Sequence, residues 1–191
     1  MVGRSPTGNV ASMQDSTRPS PGTVLLAAAV VAAADLLYAI VVWVVIFQRS
    51  TVQRILQSIA SGLLGPASFQ GGNATAALGV LLHFVIALGW TLVFLALLLR
   101  WPRLRAWTAS TRGTVLAGLV YGAAVWLLMD GVVLPLSRAR VVPPTIPWFW
   151  IQLGMHPFVV GLPIALILRR RNHEAAAVTQ AHRPQAARGN G

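Results

Sequence analysis

A chain of 191 residues in which 55% are hydrophobic and only 10% charged is too apolar for an ordinary water-soluble domain and short enough for a single bundle. Its formal charge of +11 rests on fifteen arginines and no lysine. These sit between apolar runs and not on a face interleaved with stacking aromatics, which excludes nucleic-acid binding and leaves topological charge and contact with anionic headgroups. Cysteine is absent, so disulfides, thiolate metal sites and cysteine nucleophiles are excluded as well.

Residues 1–21 are rich in Ser, Pro, Thr and Gly and show no apolar period, so they are expected to form a disordered tail. Arg18, the run from Val24, and Ala32, Ala33 and Ala34 ahead of Asp35 have the outline of a signal peptide. The apolar run nevertheless continues to Phe47, which is long enough to span, and a retained span is the expectation. Three more runs reach the ~20 residues that a ~30 Å hydrocarbon slab requires. The expected spans are therefore 24–47, 74–99, 114–136 and 148–168, with both termini on one side.

Near the spans, Arg18, Arg100, Arg103, Arg105, Arg112, Arg169, Arg170 and Arg171 lie on the terminal side, against Arg49, Arg54, Arg138 and Arg140 opposite. The positive-inside rule then predicts cytoplasmic termini. Trp101 and Trp107 fall at the cytoplasmic boundary and Trp43, Trp148 and Trp150 near the outer one, where amphipathic rings prefer to sit, while Trp90 and Trp126 lie deeper.

In the first outer loop, Ile55, Leu56, Ile59 and Leu63 recur at helical spacing opposite Gln53, Arg54, Gln57, Ser58 and Ser61. This predicts a short amphipathic helix on the membrane surface, with a re-entrant segment as the alternative because Gly62, Gly65, Gly71 and Gly72 permit unusual backbone angles. Asn73 and Thr75 satisfy the glycosylation pattern but abut the second span, where Asn73 is expected to cap the helix. Pro143, Pro144 and Pro147 stiffen the approach to the fourth span, and Pro157 and Pro163 should bend it by removing two donors. From Asn172 the chain is polar and Ala-rich, and 172–191 is expected to be a second disordered tail.

Four ionisable residues fall inside these spans: Asp35, His83, Asp130 and His156. A lipid-facing Asp costs about 2.5 kcal/mol or more at a helix centre, so these groups should face protein or water. Small residues agree. Gly118, Gly122, Trp126 and Asp130 form one row at i+4 spacing, and Gly79, His83 and Ala87 form another. Gly118, Gly122, Gly79 and Ala87 are thus the expected helix-packing positions, within the bundle or, alternatively, in a homo-oligomer or against another membrane partner. The alternation of Asp35 and Asp130 on odd spans with His83 and His156 on even ones also hints at a two-plus-two repeat.

The cluster reads three ways. Asp-to-His hydrogen bonds could glue helices in register, or the group could be a protonation site. Two His on parallel spans could also hold a b-type haem or, with the Asp pair, a transition metal. The last reading has no spacing signature beyond two unpaired His, so no cofactor and no metal is predicted. Enzyme signatures such as GxSxG and HExxH are missing, and the one Glu, Glu174, sits in a tail, so no enzyme is predicted.

The stretches RILQSIASGLLG, FQGGNATAALGVLLHFVIA, GLVYG, VVLPLS and GLPIAL, spread over roughly Asp35 to Arg170, resemble a family of small four-span bacterial inner-membrane proteins and, more distantly, the YagU-like proteins. The resemblance implies a bacterial inner-membrane location and carries no assigned reaction and no ligand residues. The expectation is an all-α polytopic membrane protein with a four-helix domain over 22–171, serving as a non-enzymatic accessory or structural component of the membrane. The alternative is a proton-responsive or small-solute transporter using Asp35, His83, Asp130 and His156, and the third reading is a haem-binding redox protein.

Overall fold

The computed structural model describes residues 19–140 and 145–169. The expected tails lie outside the described residues save for residues 19–21, as do Pro143, Pro144, Arg170 and Arg171. Six helices follow in chain order: α1 (Pro21–Ile46), α2 (Val52–Leu64), α3 (Gly72–Arg100), α4 (Pro102–Trp107), α5 (Thr111–Leu136) and α6 (Ile146–Arg169). Among the described residues there is no strand. Four of the helices, α1, α3, α5 and α6, are long and apolar enough to cross a membrane, which is compatible with an integral, multi-pass membrane protein.

Local chemistry sets the helix ends. Ser20 Oγ accepts the Thr23 amide at 3.3 Å ahead of Pro21, Thr51 Oγ1 accepts the Arg54 amide at 3.2 Å, and Ser110 Oγ accepts the Gly113 amide at 3.0 Å. These caps start α1 and α5 a few residues before their apolar runs. Asn73 does not cap α3, contrary to expectation. The helix begins at Gly72, and Asn73 Oδ1 instead accepts from Gln53 Nε2 at 2.9 Å, because the neighbouring α2 supplies a better-placed donor. The short α4, between the second and third spans, was not foreseen.

We call the end where α1 and α5 finish and α3 and α6 begin the upper end. Around the bundle α1 packs between α3 and α6, and α6 packs on α5. The α5–α6 contact is backbone on backbone. A Cβ on Gly161 would collide with the Gly118 carbonyl, and one on Gly122 would stand 2.6 Å from Pro157 Cα and 2.7 Å from the His156 carbonyl. Gly118 and Gly122 therefore face α6 inside the bundle. α5 and α3 meet through large side chains: Tyr121 OH donates to the Trp90 carbonyl at 2.5 Å, and the Phe94 and Tyr121 rings lie 4.8 Å apart. Val31, Phe94, Val125, Val160, Ile164 and Leu168 belong to one apolar core, whose members Val31, Val125 and Val160 also line the space above it.

Proline shapes the upper halves of α5 and α6. Each has a widened π-helical turn, Met129–Val133 just before Pro135 and Pro157–Gly161 starting on Pro157. Proline has no amide hydrogen and crowds the carbonyl four residues back, and a wider turn accommodates both.

The loop helix α2 packs on the bundle. Its Leu56 carbonyl lies so close to Gly79 of α3 that any Cβ there would clash, so glycine is required at 79. The segregation of faces expected from sequence holds only in part: Ile55 is buried, but so are Gln57 and Ser61 from the polar side, while Leu63 is exposed. The buried polar groups are satisfied locally. Gln57 Nε2 donates to the Gly72 carbonyl at 3.1 Å and to Thr75 Oγ1 at 3.3 Å, and Ser61 Oγ donates to the Ser58 carbonyl at 2.6 Å. Past Gly65, whose φ of 65° suits glycine, the chain turns toward α3. The end of α2 also reaches α5, where the Arg138 amide donates to the Gly62 carbonyl at 2.9 Å.

Candidate functional site

Between α2 above and the apolar core below lies a cavity of about 850 Å³, lined from all four spans and from α2. α3 and α5 meet through Tyr121, which bonds the Trp90 carbonyl and packs on Phe94, and both helices contribute residues to the lining. The cavity walls carry Trp43, Trp90, Trp126 and Trp148, and exposed Arg49 and Arg54 stand at the rim.

Three of the four ionisable residues singled out from sequence converge here. Asp35 of α1 lies between two imidazoles: its Oδ2 is 3.7 Å from His83 Nε2 of α3, and its Oδ1 is 3.8 Å from His156 Nε2 of α6. The side chains are mostly buried, with 15% exposure for His83, 16% for His156 and 25% for Asp35, so none faces open lipid. Both contacts are longer than a hydrogen bond, a spacing that either admits a bridging water or tightens when a proton arrives.

The hydrogen-bond partners fix where the ring protons sit. His83 Nε2 lies 3.0 Å from the Ala32 carbonyl, and His156 Nδ1 lies 3.1 Å from the Gln152 carbonyl. A carbonyl only accepts, so each of these nitrogens carries a hydrogen. The His83 Nε2–H therefore goes to the Ala32 carbonyl, with the Asp35 carboxylate 3.7 Å from the same nitrogen. A neutral His156 has its lone pair on Nε2, directed at Asp35 Oδ1. Two acceptors then face each other across 3.8 Å with no hydrogen between them, and a single proton there turns the contact into an ion pair.

Two residues not singled out from sequence hold this geometry. Tyr38 OH donates to Gln152 Oε1 at 2.6 Å, tying α1 to α6 beside the acid. Gln152 also supplies the carbonyl that orients His156. Helical spacing could have revealed both, since Tyr38 follows Asp35 by three positions and Gln152 precedes His156 by four. Trp126, buried on α5, backs the site with its ring 6.2 Å from that of His156 and 4.8 Å from that of Phe149.

Asp130 lines the same cavity but joins neither histidine. Among the described residues it has no ion-pair partner within 4.0 Å. A π turn, Met129–Val133, contains Asp130 and interrupts the regular i+4 row running from Gly118. The two-plus-two pairing hinted at by the sequence is not reproduced, because both imidazoles meet one Asp. In the other row, Gly79 faces α2, His83 faces α1, and Ala87 is buried in the core, so one helix stripe serves three neighbours.

For haem, axial ligation by both rings would require the Asp35 carboxylate to leave the gap it shares with them and His83 Nε2 to release Ala32. Among the described residues, no group of three or more His, Asp or Glu is arranged to hold a metal ion. Against known proteins, no family, no curated relative and no solved structure matches this chain.

Proposed function

We propose that the protein is a proton-responsive carrier of a small solute, working from the cavity in the upper half of the bundle. The observation that carries this reading is a single carboxylate shared between two imidazoles in the wall of an 850 Å³ cavity, a size that suits a small organic ligand. A purely adhesive Asp–His contact would need no cavity beside it. The apolar core below closes the cavity toward the lower end, so passage requires the core contacts to part while the upper end closes, the alternation expected of a carrier. Location in a bacterial inner membrane with both termini cytoplasmic belongs to the same proposal. Its support is the arginine asymmetry and the resemblance to four-span inner-membrane proteins. So does the absence of an enzymatic role, in keeping with the lack of a nucleophile–base arrangement among the residues lining the cavity.

Tryptophan fluorescence of the purified chain tests this. An imidazolium beside Trp126 quenches its emission, so emission should fall on acidification. The quench should disappear in His156→Gln and persist in His83→Gln at an unchanged thermal midpoint. A quench that survives His156→Gln would sink the proton site. A His156→Gln protein that loses its fold together with its quench would assign the pair to helix adhesion instead.

A further inference from the structure

Resting on the carrier reading above, we infer that the transported solute is a lipophilic organic cation, held by Asp130 against the aromatic wall of the cavity. Asp35 is occupied by two imidazoles, whereas Asp130, partly exposed to the cavity, has no ion-pair partner among the described residues. The two arginines that could neutralise it are not within 4.0 Å of it. Both are exposed at the rim, and the Arg54 guanidinium stands 5.7 Å over the Phe69 ring.

The rest of the lining narrows the ligand class. A carboxylate with tryptophan faces nearby is the arrangement that takes an organic cation, through charge and through the negative face of the ring. Trp43, Trp90, Trp126 and Trp148 line the cavity together with Asp130, and the Trp43 and Trp148 rings pack edge to face at 5.1 Å. A bare inorganic cation would leave most of this largely apolar space unfilled. An anion or neutral lipophile would leave the Asp130 carboxylate without a counter-charge away from bulk water, which is costly.

Coupling to protons follows from shared space. The charged and titratable groups facing the cavity are Asp35 and Tyr38 on α1, Arg49 just after it, Arg54 on α2, His83 on α3, Asp130 on α5 and His156 on α6. A proton added between Asp35 and His156 makes this wall more positive and weakens the hold on a cation. The cation in turn disfavours the proton, and the two ligands exchange.

Tetraphenylphosphonium binding to the full chain in detergent, read by quenching of the cavity tryptophans, decides this. Binding should weaken tenfold or more in Asp130→Asn at an unchanged thermal midpoint and be kept in Asp130→Glu. Tetraphenylborate, of the same shape and opposite charge, should not bind. Equal affinity in Asp130→Asn, or equal binding of the borate, overturns the cation site. Should Asp130→Asn fail to fold, the phosphonium–borate comparison on the native chain still decides. Acidification from pH 8 should weaken phosphonium binding, and His156→Gln should remove that dependence. Binding that ignores pH would keep the cation site and sink the proton reading. An intact acid quench without phosphonium binding would do the reverse.

Discussion

At the residue scale, the site depends on side chains that orient one another more than on any single group. His156 is aimed at Asp35 because its other nitrogen is held by the Gln152 backbone carbonyl, while the Gln152 side chain is held by the Tyr38 hydroxyl. Tyr38→Phe removes one short hydrogen bond between α1 and α6 and leaves Gln152 Oε1 unpaired, a loss of about 0.5–1.5 kcal/mol in stability. The acid quench of Trp126 fluorescence should persist, since the Gln152 backbone carbonyl that orients His156 stays fixed in α6. Denaturation of the detergent-solubilised protein, with the fluorescence titration beside it, checks both. A lost quench would mean that Gln152 does not orient His156 without help from Tyr38.

At the element scale, glycine decides how closely helices approach. Gly122→Ala puts a methyl group 2.6 Å from Pro157 Cα, in backbone that cannot rotate away, and should cost about 1–3 kcal/mol while displacing His156. Gly89→Ala is the matched control. Its Cβ would meet nothing within 4 Å, and the gain in helix propensity should leave stability unchanged or raise it by up to about 1 kcal/mol. Thermal midpoints of the two variants should therefore move in different directions. The loop helix has a test of its own. A Cβ on Gly62 would lie 3.9 Å from the Cβ of Ser137, inside the range a disulfide spans. In this cysteine-free chain, Gly62→Cys with Ser137→Cys should close an intrachain bond on oxidation. If α2 must lift to admit solute, phosphonium entry should stop on oxidation and return on reduction. Entry that continues through the closed bond would make α2 a fixed roof.

At the scale of the whole molecule, the exterior and interior divide as expected for a bundle in lipid. Large apolar side chains such as Leu136, at 83% exposure, and Val120, at 68%, face outward along the spans, a distribution that water would penalise. At the lower end Arg169 Nη2 donates to the Ala109 carbonyl at 3.1 Å, tying the end of α6 to the connection between α4 and α5. Reporter fusions test the proposed orientation. Those at Arg103 and Arg171 should report cytoplasm and one near Gln70 the outside, and the opposite pattern would reverse the membrane sidedness of the cavity mouth.

The four spans were legible in the sequence because a hydrocarbon slab demands a minimum apolar length, and composition alone shows where that length is met. The inward direction of Asp35, His83 and His156 was legible for the related reason that lipid excludes charge. The roles of Asp35 and Asp130 were not. Helical periodicity treats the two acids alike, whereas Asp35 becomes central because α1 packs between α3 and α6, and Asp130, on α5, meets no ion-pair partner within 4.0 Å among the described residues. The cavity was also beyond sequence reading, since it is lined from all four spans and from α2. Solvent acts on each segment separately, so the segments reveal it; the meeting of side chains distant in the chain depends on how whole helices pack, which no single segment encodes.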